Sequence, residues 1–260
     1  MILSSLFIST AKAVELTDED YARLNKVFSE ARISVMTQEE VDKYLAMNLE
    51  NAKSETTYYK GVSHGNESYT WYEISKDEYD NSDSEIQPHA TYIATEYKEV
   101  KITAIEGFEN VFSFDLTAKW KKMPAARSYD VIAFRFRNIA LIEGTQFGLQ
   151  SYIKSGSNSY DHISYTTKSG NMKKTSQGFG ISMNLVDNSI SALELEISAE
   201  GVPSGINPYV WGNYQHAVEN VTLAQSQKYN ITSAGYGNVI NFDLSVEDHY
   251  DGMGGVYIAL

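Results

Sequence analysis

Few residues of this chain stand at spacings that do covalent chemistry. Gly61-Val62-Ser63-His64-Gly65 has the Gly-x-Ser-x-Gly pattern of a nucleophile elbow. There a strained strand-to-helix turn exposes the serine hydroxyl beside an oxyanion hole. The residues that follow, Tyr69-Thr70-Trp71-Tyr72-Glu73-Ile74, alternate as a strand does, so a hairpin turn is expected instead. Ser151-Tyr152-Ile153-Lys154 and Lys168-Ser169-Gly170 match the spacing of the Ser-x-x-Lys and Lys-Thr-Gly elements of penicillin-recognising enzymes. That chemistry needs its serine at a helix start, whereas Tyr152 and Ile153 favour a strand. No catalytic residue is assigned.

The five histidines, His64, His89, His162, His216 and His249, lack the His-Glu-x-x-His spacing that sets two imidazoles on one helix face. Each is expected on the surface or hydrogen-bonded in a loop. Asp77, Asp80, Asp83 and Glu85, with Glu78 among them, come nearest to a cation site. Calcium loops of the EF-hand type need a glycine at their sharp turn, and none is present, so a solvated acidic loop is expected. No metal and no cofactor are expected. A carboxylate pair for glycoside hydrolysis is set by the fold and not by chain spacing.

Aromatic residues are the other candidates for contact with a ligand. There are 19 tyrosines, and two groups lie beside tryptophan: Tyr69, Trp71 and Tyr72, and Tyr209, Trp211 and Tyr214. Alternation puts Trp71 and Tyr72 on opposite faces of a strand, so part of each group is expected to point away from the core. Pro208 starts the second cluster, Gly212 permits close approach, and Asn213 and Gln215 add amides beside the rings. Tyr209, Trp211, Tyr214, Trp71 and Tyr72 are the candidate ligand-binding residues, for a glycan or a protein of the cell exterior.

Composition bounds the rest. The chain has 260 residues, 42% hydrophobic and 21% charged, enough for a sizeable core in one or two domains. Its net charge of −13 argues against a nucleic-acid partner, which needs clustered Lys and Arg to displace counterions. With no cysteine there is no disulfide, thiolate catalysis or thiolate metal site. Residues 1–13 join an apolar run to Ala11-Lys12-Ala13, the small residues that signal peptidase accepts, although no basic residue precedes Lys12. A truncated signal peptide, cleaved after Ala13, and a secreted or cell-surface location are expected. About 20 apolar residues are needed to span a bilayer, and no segment reaches that, so no transmembrane segment is expected.

Two elements must position anything the chain binds. Residues 14–54 form a helical segment: Thr17-Asp18-Glu19-Asp20 and Thr37-Gln38-Glu39-Glu40 resemble capping boxes, followed by apolar stripes that predict helices over residues 18–31 and 38–52. From residue 55 to 260 the period becomes two. Phe112, Phe114, Leu116, Ala118 and Trp120 form one strand face and Ile132, Phe134 and Phe136 another. Phe179, Ile181, Met183 and Leu185 are expected to turn at Asp187-Asn188. They would then pair with Leu193, Leu195, Ile197 and Ala199, leaving Glu194, Glu196 and Ser198 to water. Residues 155–177 are expected to form long loops around a strand near His162. The expected architecture is mainly β, an antiparallel β-sandwich or related β-rich domain, with the two-helix segment as cover.

Three stretches, Tyr129-Asp130-Val131-Ile132-Ala133, Tyr214-Gln215-His216-Ala217 with Val221-Thr222-Leu223-Ala224-Gln225-Ser226, and Tyr250-Asp251-Gly252-Met253-Gly254-Gly255-Val256, resemble uncharacterised secreted β-rich proteins of Gram-positive bacteria. The resemblance runs from about Tyr129 to the C-terminus and implies export and a β-rich fold, with no activity attached. The resulting expectation is a non-enzymatic binding or surface-interaction protein. An extracellular hydrolase of wall polymers using an Asp/Glu pair is one alternative. A membrane-active β-protein, from an amphipathic hairpin within residues 145–175, is the other.

Overall fold

Side-chain oxygens start each N-terminal helix. In the computed structural model, which describes residues 14–63, 69–82, 95–124, 126–186, 189–232 and 239–260, Thr17 accepts from the Asp20 N–H and opens α1 (Asp18–Leu24). Ser29 accepts from the Arg32 N–H and opens α2 (Glu30–Ile33). Thr37 and Glu40 form the full reciprocal box of α3 (Gln38–Ala46). The first predicted helix is therefore two, because Ser29 caps a fresh start where one continuous helix was expected. The second ends early, at Ala46, and a 3₁₀ turn follows at Leu49–Asn51.

Strands begin with β1 (Lys53–Ser63), β2 (Tyr69–Ile74) and, after the short helix α4 (Lys76–Asn81), β3 (Thr95–Glu106) and β4 (Phe112–Trp120). Next come β5 (Tyr129–Arg137), β6 (Ile139–Leu141), β7 (Phe147–Lys154), β8 (Tyr160–Thr166), β9 (Met172–Thr175) and β10 (Gly178–Asn184). The remainder is β11 (Ile190–Pro203), β12 (Tyr209–Gln215), α5 (Leu223–Ser226), β13 (Tyr229–Ile231), β14 (Ile240–Phe242) and β15 (Gly255–Ala259). The larger sheet runs β2-β1-β3-β4-β11-β7-β8, with β6 on the end of β11, and the smaller runs β15-β12-β5-β10-β9. The pairings are antiparallel. Between the sheets lies the main core, to which Ile102, Phe114, Leu116, Leu195 and Ile197 come from one sheet and Ile132, Phe134, Phe179, Ile181 and Val210 from the other. This is the sandwich that the period-two patterning predicts.

Three expectations change. β10 and β11 do not form a hairpin: β10 pairs with β5 and β9 in the smaller sheet, β11 with β4 and β7 in the larger. Both apolar faces enter the same core from opposite sides, because alternation specifies a face and not a partner. The Asp187-Asn188 turn lies outside the described residues. Residues 155–177 hold β8, the strand expected near His162, at the edge of the larger sheet, and a second edge strand, β9 on the smaller sheet, where only loop was expected. Consequently residues 145–175 do not make one free amphipathic hairpin, since β7 and β8 are built into the larger sheet and β9 belongs to the other. Among the described residues no helix is long and apolar enough to cross a membrane.

Each sheet is also covered on its outer face. Under the smaller sheet, Val131, Ala133 and Trp211 pack with Tyr229, Ile231, Phe242 and Tyr250 around the β13–β14 pair. Over the larger sheet, Leu24, Phe28, Ile33, Val41 and Tyr44 form a separate apolar cluster with Ile105. The helices thus bury their stripe as amphipathic helices do, on a sheet face that is largely polar.

Candidate functional site

The aromatic candidates do not form one exposed surface. In β12, Tyr209 and Trp211 face the outer cap and stack at 5.4 Å, and the Arg135 guanidinium stands 3.8 Å above the Trp211 ring. Trp211 is buried and Tyr209 half-buried. Tyr214 points the other way, into the core, fully buried. These rings are not the exposed cluster expected at a strand start, because the small β13–β14 sheet covers the outer face that alternation left open. Trp71 is half-buried at the core edge and only Tyr72 is exposed, so this pair does occupy opposite faces as predicted. Trp71 lies flat over Gly61, where a Cβ would stand 2.7 Å from the indole. Gly61 therefore serves packing, and Ser63 pairs with Tyr69 at the end of the β1–β2 ladder.

Asp77 and Asp80 lie on α4, where Lys76 pairs with Asp80 at 2.5 Å. Asp83 and Glu85, together with His64, His89 and residues 1–13, lie outside the described residues. Among the described residues no three carboxylate or imidazole groups converge as metal ligands.

Two polar constellations do form. The first lies beneath the N-terminal helices. Glu194, Glu196 and Ser198 of β11 do not face water, as their alternation suggested, because α1–α3 dock on that face. With Asp115, Glu99, Lys101, Lys119 and Tyr160 the two glutamates line a cavity of about 320 Å³, closed on the helix side by Asn25 to Glu30. Arg32, itself buried, donates to Glu40 at 2.6 Å, and its Nε lies 3.1 Å from Glu196, an ion pair without hydrogen-bond alignment. Ser29 donates to Glu194. Neither carboxylate oxygen of Asp115 has a hydrogen-bond partner.

Burial governs the titration of this group. It pushes Asp115 up to about 6 against the pull of Arg32, Lys43 and Lys101. Burial likewise raises Glu194, opposed by Ser29 and Lys119, and raises Glu196 well above the ordinary carboxylate range, opposed by Arg32. For Arg32 burial acts downward, but Glu196 and Glu40 outweigh it and the net direction is up. A carboxyl that holds its proton more tightly when folded adds stability below its unfolded pKa, and that stability is lost as pH rises through the folded value. The melting temperature is expected to fall by about 5 °C between about pH 5 and about pH 8. Calorimetry on the full chain and on Glu196→Gln checks this: the variant should show a flatter decline, and an equally steep one would locate the dependence elsewhere.

The second constellation sits inside the main core. Lys98 Nζ lies 2.5 Å from Asp251 Oδ2, both side chains being fully buried. Around Nζ stand the rings of Trp71 at 3.6 Å, Trp120 at 4.2 Å and Tyr214 at 5.1 Å. Asp251 Oδ1 accepts the His216 backbone N–H at 3.0 Å. Trp120 Nε1 donates to the Tyr214 hydroxyl at 2.9 Å, and that hydroxyl donates to Asp130. Asp130 also meets His216 Nδ1 at 3.0 Å and accepts the Ala217 N–H at 2.9 Å. His216, in the connection after β12, is the hydrogen-bonded loop histidine expected, and it is buried. One sequence signal pointed here: Lys98 shares the inward parity of Val100, Ile102 and Ala104. Another was available in the resemblance stretches, which contain Asp130, Tyr214, His216 and Asp251.

On the surface, a groove of about 690 Å³ runs between β1 and β15, lined by Lys53, Ser54, Glu55, Thr57, Glu73 and the strand from Gly255 to Ala259. β15 ends the smaller sheet, bonded on one side to β12. Lys53 Nζ donates to the Ala259 carbonyl at 3.2 Å, and Tyr257 is 46% exposed.

No protein-family model and no curated protein matches the chain. Among solved structures it is similar to the pilus backbone of Streptococcus pneumoniae, at 16% identity and a TM-score of 0.28 over 41% of this chain and 25% of that one. The KRT10-binding region domain of the pneumococcal serine-rich repeat protein aligns at 16% identity and a TM-score of 0.26, covering 63% and 86%. The enzymatically active domain of tailspike protein 4 from bacteriophage CBA120 aligns at 10% identity and 0.22, covering 63% and 18%. The chain spans 25% of the length of the pilus backbone it matches.

Proposed function

We propose that the protein is an exported, non-enzymatic binding module that takes an extended segment of an extracellular protein along β15. The observation that supports this most is the β1–β15 groove, where a terminal strand with an exposed tyrosine borders a polar trough. An edge strand offers backbone N–H and C=O groups to an incoming strand, while side-chain pockets select the sequence. Lys53 guards that edge by its bond to Ala259 and would be displaced on binding.

Titration of display-selected extended peptides against the full chain tests the reading. Tyr257→Ala is expected to weaken binding about 30-fold while leaving stability within about 0.5 kcal/mol, as for exposed sheet positions. Equal affinity in the variant, or no peptide bound at all, would overturn it.

One observation favours hydrolysis of wall polymers as a second reading. Glu194 and Glu196, both held toward the protonated form, border a cavity in which one could donate a proton to a leaving group. Release of reducing ends from isolated wall, abolished in Glu194→Gln or Glu196→Gln, would replace the binding reading with this one.

A further inference from the structure

We propose that Lys98 and Asp251 are joined by an amide bond between their side chains, formed by the folded protein without an added enzyme. A lysine and an aspartate, both fully buried and 2.5 Å apart, form a costly ion pair, because each charge loses its hydration. In the proposed step one proton first passes from Nζ to Oδ2, which leaves a neutral amine beside a carboxylic acid. These are the two partners of an amide condensation, already at contact distance.

The step balances as written. Nζ attacks Cγ of Asp251, and the negative charge that develops falls on Oδ1, where the His216 backbone N–H already donates. A second proton passes from Nζ to Oδ2, the oxygen that Lys98 faces, and Oδ2 departs as water while Oδ1 returns to a carbonyl. One C–N bond forms, one C–O bond breaks, and one water leaves, with no oxidant, nucleotide or metal required. Fixed orientation replaces activation: groups held at contact distance react with effective molarities of about 10⁵ M or more. Trp71, Trp120 and Tyr214 surround the amine and keep bulk water from the reverse reaction. Asp130 orders the site by holding Tyr214 and His216 in place.

The bond would tie β3 of the larger sheet to the segment entering β15 of the smaller one, across 153 positions of sequence. It is independent of what, if anything, binds at β15.

Mass spectrometry of the full chain under denaturing conditions tests the proposal, followed by proteolysis and tandem sequencing. The expected result is a mass lower by one water than the sequence requires for its observed N-terminus, with a branched peptide joining Lys98 to Asp251. Lys98→Met and Asp251→Ala should each restore the full mass, and this holds whether or not either variant folds, because the measurement is made on denatured protein. Full mass in the natural sequence, with Lys98 and Asp251 recovered on separate linear peptides, would overturn the proposal. A lost water without the branched peptide would do the same.

Discussion

Arg32→Met is expected to destabilise the protein by about 3–5 kcal/mol near neutral pH, because it strands the buried Glu196 carboxylate, which no other cation among the described residues meets at contact distance. Arg32 is the hinge pin of the cover: it sits on α2, holds Glu40 of α3, and lies against Glu196 of β11. Phe147 of β7 lies under its guanidinium at 5.6 Å. The penalty should shrink on acidification, since Asp115 and Glu196 already lean toward their protonated forms and can discharge there. Arg32→Lys keeps the charge but loses the planar fork that reaches both partners, so an intermediate loss is expected. Denaturant unfolding of the three proteins at about pH 5 and about pH 8 decides it. A penalty of equal size at both values would mean that Arg32 acts by packing alone.

Trp211→Ala is the second large effect, about 3–5 kcal/mol of stability from the cavity left beneath the β13–β14 cap. The ring packs with Ala217, Val221, Tyr229 and Phe242, and its truncation also removes the face on which Arg135 rests. Trp211 stands directly opposite Tyr257 in the β12–β15 pair, so affinity for a ligand held at β15 should fall only as far as loss of that cross-strand neighbour disturbs Tyr257. Unfolding and peptide titration on one preparation separate the two. A variant that melts normally yet loses binding would return Trp211 to the candidate contacts.

Sequence patterning made the faces of this protein legible, and the pairings much less so. Alternation correctly assigned Phe112 to Trp120, Ile132 to Phe136 and both halves of the 179–199 region to the core. It had no means of placing β10 and β11 in different sheets, because an inward face is the same whichever sheet carries it. The cover was half readable. Thr37 and Glu40 announced α3, but the outward Glu194 and Glu196 gave no sign of being buried until the helices were seen to need a floor. Lys98 is the instructive omission, since a lysine in phase with Val100 and Ile102 breaks the pattern of its own strand. Such a break marks a buried partner, and Asp251 lies too far along the chain for spacing to reveal it. The site proposed at β15 had no signature, since an edge is a property of sheet order and not of any local run.

The cover has a consequence for the order of assembly. Its helices are the first part of the described chain to be synthesised, yet two of the polar contacts that fasten them, Ser29 to Glu194 and Arg32 to Glu196, lead to β11. β11 must itself find β4 across a long intervening stretch, with Leu193 opposite Trp120. Such non-local closures are slow steps of folding, because loop entropy is lost before contacts repay it. A nascent chain therefore lacks these two fastenings of its N-terminal helices until more than two-thirds of the sequence has been made, whereas their apolar contact with Ile105 of β3 is within reach much earlier.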